Sequence, residues 1–255
     1  MPADKGRFYE SIAADFDGLM DRHELAKRLR VVFGRPGPAV PSGAGRPPLA
    51  EGGGAPGRAG QGPLLTRADV QGQMTLDAGS GTGHFSRALS EMGARLVSLD
   101  LGPALLAVVR GKCRTLAAQG SLLDLPFQDG TFRAILCTEV IEHTADPRRA
   151  VGELCRVLAP GGVLALTVPN KRLRFALTVA EFLRLRPYAG LENWVGYGEL
   201  AGWLEAAGVV VESQFGFNLL PAPFFCRPAF DGLDRAAPLH PVMVNVAVRC
   251  RKPAP

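Results

Sequence analysis

Three glycines at alternate positions, Gly79, Gly81 and Gly83, lie between an acid at Asp77 and a second acid at Asp100. Glycine takes positive φ at no steric cost and has no Cβ, so such a run lets the main chain turn sharply and approach a ligand. Asp100 follows by about twenty residues, the distance at which a nucleotide-binding βαβ unit sets a carboxylate against ribose hydroxyls. The spacing is G-x-G-x-G, and His84 stands where the dinucleotide fingerprint requires glycine. That departure favours a nucleoside without a pyrophosphate. A second group capable of chemistry is Glu139, Glu142 and His143. A histidine titrates near neutrality and can take a proton. Two carboxylates and an imidazole on one helical face could instead hold a hard divalent ion. The competing readings are structural: His143 bonding the loop before Pro147, and Glu139 capping a loop.

The elements that position these residues follow from hydrophobic pattern. Met74 to Gly79 reads as a buried strand running into the glycine turn, and Leu96 to Leu99 as a second strand ending on Asp100. Between them His84 to Met92 is helical, with Phe85, Leu89 and Met92 at spacings of four and three and Gly93 as terminator. Pro103 opens a helix to Arg110, and Arg114 to Ala118 gives a short third strand. Phe132 to Thr138 is a buried strand. Pro147 opens a helix to Leu158, and Pro160-Gly161-Gly162 turns into the strand Val163 to Val168. Gly198 to Ala207 reads as a helix, Val209 to Phe215 as a strand and Met243 to Val248 as the last strand. Alternating helix and strand is the doubly wound α/β pattern. Ligands of such sheets bind beyond the carboxyl ends of the strands, where Gly79 to Gly83, Asp100, Ser121 and Thr138 to His143 converge.

The stretch LDAGSGTG resembles the first motif of the class I S-adenosylmethionine-dependent methyltransferases. The resemblance continues through LPFQDGTFRAILCTEVIEHTADP and LAPGGVLALTVPN, over roughly Leu76 to Asn170. Within that family the phrase Glu139-Val140-Ile141-Glu142-His143 is most similar to the ubiquinone and menaquinone methyltransferase branch. The resemblance implies a Rossmann-like sheet of seven strands, six parallel and one antiparallel, with helices on both faces. It implies S-adenosyl-L-methionine at Asp77, Ala78, Gly79, Ser80, Gly81 and Gly83, at Asp100 and Leu101, at Ser121 and Leu122, and at Thr138 and Glu139. Relatives commonly carry an aspartate where this chain has Ser121, so adenine recognition is expected to fall on Ser121 and the main chain near Leu122. His84 is expected to open the cofactor helix. The resemblance also brings magnesium as a candidate at Glu139, Glu142 and His143.

Composition bounds the rest. The chain has 255 residues, 47% hydrophobic, enough for one α/β domain with a complete core. A net charge of +5 is too mild for a nucleic-acid binder, and no catalytic motif of nucleic-acid methylation is present. Five scattered cysteines, none spaced C-x-x-C, argue against a disulfide framework or structural zinc. A polar N-terminus and no apolar run of membrane-spanning length lead to the expectation of a soluble, cytoplasmic protein.

Three segments are expected around the methyltransferase domain at 64–255. Residues 1–33 read as a helical lid, in which the resemblance makes Tyr9 and Phe16 candidates to cover the cofactor. Residues 34–63 hold ten glycines and seven prolines, and such a composition cannot bury enough surface to offset its chain entropy. They read as a disordered linker. A substrate-facing helical insert is expected at 171–207. Its part 171–186 has an apolar middle flanked by Lys171, Arg172, Arg174, Arg184 and Arg186, which suits either a pocket roof or a peripheral membrane contact.

The expected reaction is methyl transfer to a small molecule, an oxygen of a quinone precursor, a lipid-linked intermediate or a natural product. Such a displacement asks the protein to hold nucleophile and methyl carbon in attack geometry in a dry pocket. The competing readings are a nucleotide-dependent oxidoreductase on the same fold and a non-catalytic binding module.

Overall fold

A computed structural model describes residues 22–34, 62–173, 193–218, 234 and 236–254. The helices are α1 (Arg22–Phe33), α2 (Arg67–Val70), α3 (His84–Glu91), α4 (Pro103–Lys112), α5 (Pro147–Val157) and α6 (Tyr197–Ala206). The strands are β1 (Met74–Ala78), β2 (Arg95–Asp100), β3 (Leu116–Gln119), β4 (Phe132–Thr138), β5 (Leu158–Pro169), β6 (Val210–Phe217) and β7 (Asn245–Arg251).

They form one sheet in the order β3-β2-β1-β4-β5-β7-β6. β7 runs antiparallel between β5 and β6, and the other strands are mutually parallel. The expected six-plus-one Rossmann-like sheet is therefore the observed one. Connections from β1 run outward to β2 and β3, then cross back to β4 on the other side. That reversal opens a crevice between the carboxyl ends of β1 and β4.

Alternate residues of each central strand serve opposite faces, as the two-residue period requires. Ile135 and Cys137 of β4 join Leu76, Leu164 and Leu166 under α5 and α6, which contribute Val151, Leu154, Leu200 and Leu204. Ala134 and Leu136 join Val163 and Ala165 on the other face, against Val32 of α1, Val70 of α2 and Leu89 of α3. With both faces covered, the strands are buried as near-continuous apolar runs.

Several boundaries moved from expectation: the Pro103 helix runs on to Lys112, the sixth strand lies at Val210–Phe217 and the last at Asn245–Arg251. The third strand lies at Leu116–Gln119, with an exposed-to-intermediate pattern that carries no apolar signal. The fifth begins at Leu158, because Pro160, Gly161 and Gly162 are taken into the strand as a register shift between Phe132↔Leu158 and Ala134↔Val163. Asn170, the first residue past β5, is fully buried. Its Nδ2 donates to the carbonyls of Pro241 (3.0 Å) and Met243 (2.9 Å), tying the end of β5 to the approach to β7.

The last turns of α1 are stitched to the start of the domain: the N–H groups of Leu64 and Leu65 donate to the carbonyls of Val31 (3.3 Å) and Val32 (2.8 Å). Expectations for residues 1–21, for most of the Gly/Pro-rich segment (35–61), for 174–192 and for Cys226 lie outside the described residues. Cys113, Cys137, Cys155 and Cys250 are free thiols. Among the described residues no helix is long and apolar enough to cross a membrane.

Candidate active site

The glycine turn is built on β2 as well as β1. The N–H groups of Gly79 and Ser80 both donate to the Leu99 carbonyl, at 2.8 and 2.9 Å. Gly79 has φ +80, and a Cβ there would lie 2.5 Å from a Val140 methyl, so this position is filled from behind by the lip of β4. Gly81 has φ +52 and nothing within 4 Å of where its Cβ would be. Its side of the turn is open. Gly83 then caps α3, which begins at His84 as expected.

Asp100 locks this arrangement. Its Oδ2 accepts from the Gly81 N–H at 2.8 Å and its Oδ1 from the Gly102 N–H at 3.0 Å. The N–H of Gly120 donates to the Asp100 carbonyl at 3.1 Å, which brings Ser121 beside the acid. Three turns, after β1, β2 and β3, are thus bonded into one rim. Leu101, next to Asp100, is 58% exposed. The Ser121 hydroxyl accepts from the Leu123 N–H at 3.1 Å, while Leu122 is buried.

Beneath the turn, Asp77 is buried and accepts a 2.6 Å hydrogen bond from the Ser86 hydroxyl. The hydroxyls of Ser86, Ser98 and Thr115 continue as a chain with 2.8 Å links. Burial pushes the Asp77 carboxyl up to about 7, opposed by the Ser86 bond and aided by the nearby Asp100 charge. The hydroxyls of Ser80 and Thr82 are also buried and have no hydrogen-bond partner among the described residues.

The lip beyond β4 carries the second group. Thr138 ends the strand, and Glu139 adopts the left-handed conformation at φ +54. The Glu139 N–H donates to the Thr167 carbonyl at 2.9 Å, and its Oε2 accepts from Asn245 Nδ2 at 2.9 Å. Arg28 of α1 lies 3.7 Å from Oε2 and contacts Glu24 on its other side. Glu139 Oε1 and Arg28 Nε have no hydrogen-bond partner among the described residues. Burial raises the Glu139 carboxyl above its ordinary range; the Arg28 cation, then the Thr167 hydroxyl nearby, oppose it.

Ile141–His143 forms a single 3-10 turn, so Glu139 lies outside it and the three residues do not share the helical face expected of them. Glu142 is 1% exposed, and its Oε1 lies 3.7 Å from His143 Nε2. Asn193 bonds the same turn twice, its N–H to the Glu142 carbonyl (2.7 Å) and its Nδ2 to the Thr144 carbonyl (2.6 Å). Among the described residues no three His, Cys, Asp or Glu side chains are grouped to hold a metal ion. Arg28, Asn193 and Asn245 were not singled out from sequence. Arg28 lies in a basic stretch of α1, and the two asparagines carry no local signal.

The rim fits a nucleoside. It offers an open main-chain turn, two buried hydroxyls lacking partners, a carboxylate in the ribose position and an exposed apolar side chain beside it. The sequence matches the family model of a methyltransferase domain over residues 76–166. It is 35% identical over 170 residues to the ubiquinone biosynthesis O-methyltransferase of Xanthomonas oryzae pv. oryzae (strain PXO99A), covering 62% of this chain and 71% of the relative. The protein of that name from Xanthomonas euvesicatoria pv. vesicatoria is 34% identical over the same shares. Among solved structures, a chain of the complex between the Haloferax volcanii Trm112 methyltransferase activator and a putative methyltransferase aligns with a TM-score of 0.60. That alignment is 20% identical and covers 96% of this chain and 97% of that one. An S-adenosylmethionine-dependent methyltransferase from Mesorhizobium loti aligns with a TM-score of 0.57 at 18% identity, over 72% and 93%.

Proposed function

The chain belongs to the class I S-adenosylmethionine-dependent methyltransferases, and from that premise we propose that its acceptor is a hydroxyl of a small quinone precursor. The observation that carries the reading is the His143–Glu142 pair, 3.7 Å apart on the lip of β4. The Xanthomonas relatives, named for O-methylation in ubiquinone biosynthesis, support the acceptor class.

When bound, S-adenosylmethionine supplies an electrophilic methyl group on a sulfonium. Asp100 and the Gly81 side of the turn hold the nucleoside, with Ser80 and Thr82 offering hydroxyls and Leu101 an apolar face. Ser121 and the Leu122 main chain take the adenine edge. On the acceptor side His143 receives the hydroxyl proton as the oxygen becomes a nucleophile, and the buried Glu142 carboxylate steadies the imidazolium. α1, held across the lip by Arg28, serves as a lid that keeps water from the crevice.

The test is incubation of the purified protein with methyl-labelled S-adenosylmethionine and a host-cell extract, followed by partition between organic and aqueous phases. Label in the organic phase supports a quinone-like acceptor, whereas label confined to the aqueous phase overturns it. A His143→Ala variant should then lose roughly 10²- to 10⁴-fold in turnover, with S-adenosylhomocysteine affinity unchanged. Equal losses in both would remove His143 from the role of base.

A further inference from the structure

The loop between β3 and β4 is gripped by one arginine that no part of the reaction uses. Arg156, on α5, commits all five N–H groups of its guanidinium. Its Nε donates to Glu153 Oε1 at 2.8 Å and its Nη2 to Glu153 Oε2 at 2.8 Å and to the Leu125 carbonyl at 3.0 Å. Its Nη1 donates to the Phe127 carbonyl at 2.8 Å and to Asp129 Oδ1 at 2.7 Å. Glu153 Oε2 also accepts from the Leu125 N–H at 2.8 Å, so Leu125 is held by both main-chain polar groups. The Arg156 carbonyl accepts from the Gly130 N–H at 3.0 Å, closing the far end of the loop.

The near end is Gly120, bonded to the Asp100 carbonyl, and the next two residues are Ser121 and Leu122. Ser121 has a short side chain, and its oxygen already accepts from the Leu123 N–H. A base edge placed here meets one short hydroxyl and, beside it, the main-chain groups of the loop. Main-chain recognition is only as selective as the loop is rigid, because ordering a loose loop on binding subtracts from affinity. Loops of this kind are ordinarily among the more mobile parts of a domain.

We propose that Glu153 and Arg156 are positioning residues for the adenine-binding loop, fixing the main chain at Ser121 and Leu122 so that it takes over the recognition a side-chain carboxylate would otherwise supply. The pair acts from α5 through Leu125 and Phe127 and touches no ligand. The proposal rests on the S-adenosylmethionine reading of the rim and is independent of which acceptor is methylated.

The test is calorimetric titration of the full chain with S-adenosylhomocysteine and with 5′-methylthioadenosine, which carries the nucleoside without the amino-acid tail. Arg156→Lys keeps the charge and loses the forked geometry. It should weaken both ligands by the same factor, roughly tenfold. Glu153→Gln, which keeps size and the Leu125 contact, should weaken both by a smaller common factor and serves if the arginine variant fails to fold. Adding Ser121→Asp to Arg156→Lys should recover most of the loss for both ligands, an outcome that a general loss of stability would not give. Unchanged affinities, or a loss for S-adenosylhomocysteine alone, or no recovery with Ser121→Asp, would overturn the proposal. A parent chain that binds neither ligand would instead overturn the reading of the rim.

Discussion

Asn245 Nδ2 donates a 2.9 Å hydrogen bond to Glu139 Oε2, joining the first residue of β7 to the first residue beyond β4 across 106 positions of sequence. The other end of the same amide accepts from Asn218 Nδ2, also at 2.9 Å. Glu139 (φ +54) and Asn218 (φ +62) are the only non-glycine residues with positive φ among the described residues. One side chain therefore bridges both sites of backbone strain. Such strain persists only where its surroundings over-determine it.

Removing that bridge should cost stability and chemistry together. Asn245→Ala leaves two buried polar partners unmatched, which costs about 1–3 kcal/mol in urea unfolding. Because Asn245 bonds Glu139 and Asn218 rather than the glycine turn, S-adenosylhomocysteine affinity should stay within about threefold while methyl transfer falls further. A variant whose cofactor affinity falls as far as its turnover would assign Asn245 to the whole cleft and not to the acceptor side.

The glycines at 79 and 81 should respond to alanine in opposite ways. Gly79→Ala combines φ +80 with a methyl 2.5 Å from Val140, and should destabilise the fold by at least about 2 kcal/mol. Gly81→Ala meets no neighbour within 4 Å and should cost about 1 kcal/mol, from φ alone, yet it fills the open side of the turn. Thermal unfolding and S-adenosylhomocysteine titration on both variants check this: the first should lose stability, the second should lose binding.

Asp77 should make the ligand-free protein less stable as pH rises. Its folded value of about 7 lies above the ordinary 3.8, so the native state holds a proton that the unfolded chain has already released. This group's contribution is therefore greatest below about pH 4, declines between about 4 and 7 and is constant above, a span on the order of 4 kcal/mol. Asp77→Asn keeps an acceptor for Ser86 and removes the charge. Relative to the parent, it should gain unfolding temperature at pH 8 and gain much less at pH 4.5; parallel pH profiles would remove Asp77 as the cause.

The Gly/Pro-rich segment should be dispensable for folding. Its flanks meet: a Cβ on Gly34 would lie 3.2 Å from the Pro63 ring, beside the α1 to Leu64–Leu65 stitches. Replacing residues 35–61 by a turn of about four residues should leave the fold intact and stabilise it by roughly 1–2 kcal/mol through a shorter loop closure. Loss of the cooperative transition on denaturation would show that the segment contributes structure of its own.

The rim was legible because it is local. Asp77, the three glycines, α3 and Asp100 lie on one βαβ unit, and hydrophobic runs with glycine and proline punctuation mark each of its parts. Strand β3 begins two residues later and ends one later than expected because its exposed edge carries no apolar period, and β5 began early because a bulge absorbed what reads as a turn. The lip beyond β4 was not legible for a different reason. Glu139, Asn245 and Arg28 meet only after three distant segments pack, and neither the left-handed twist at Glu139 nor the partner of an asparagine is written in its neighbours. The same cause defeated the helical-face reading of Glu139, Glu142 and His143.

The antiparallel course of β7 has a consequence for how such a protein can change. Because that strand enters the sheet at the crevice end, its first residue, Asn245, bonds the lip of β4 at Glu139. The rim from Asp77 to Leu122 is one continuous block, while the lip is tied together by Arg28, Asn193 and Asn245 from outside it. Substitutions at those outer positions can therefore reshape the lip without touching the hydrogen bonds that hold the rim.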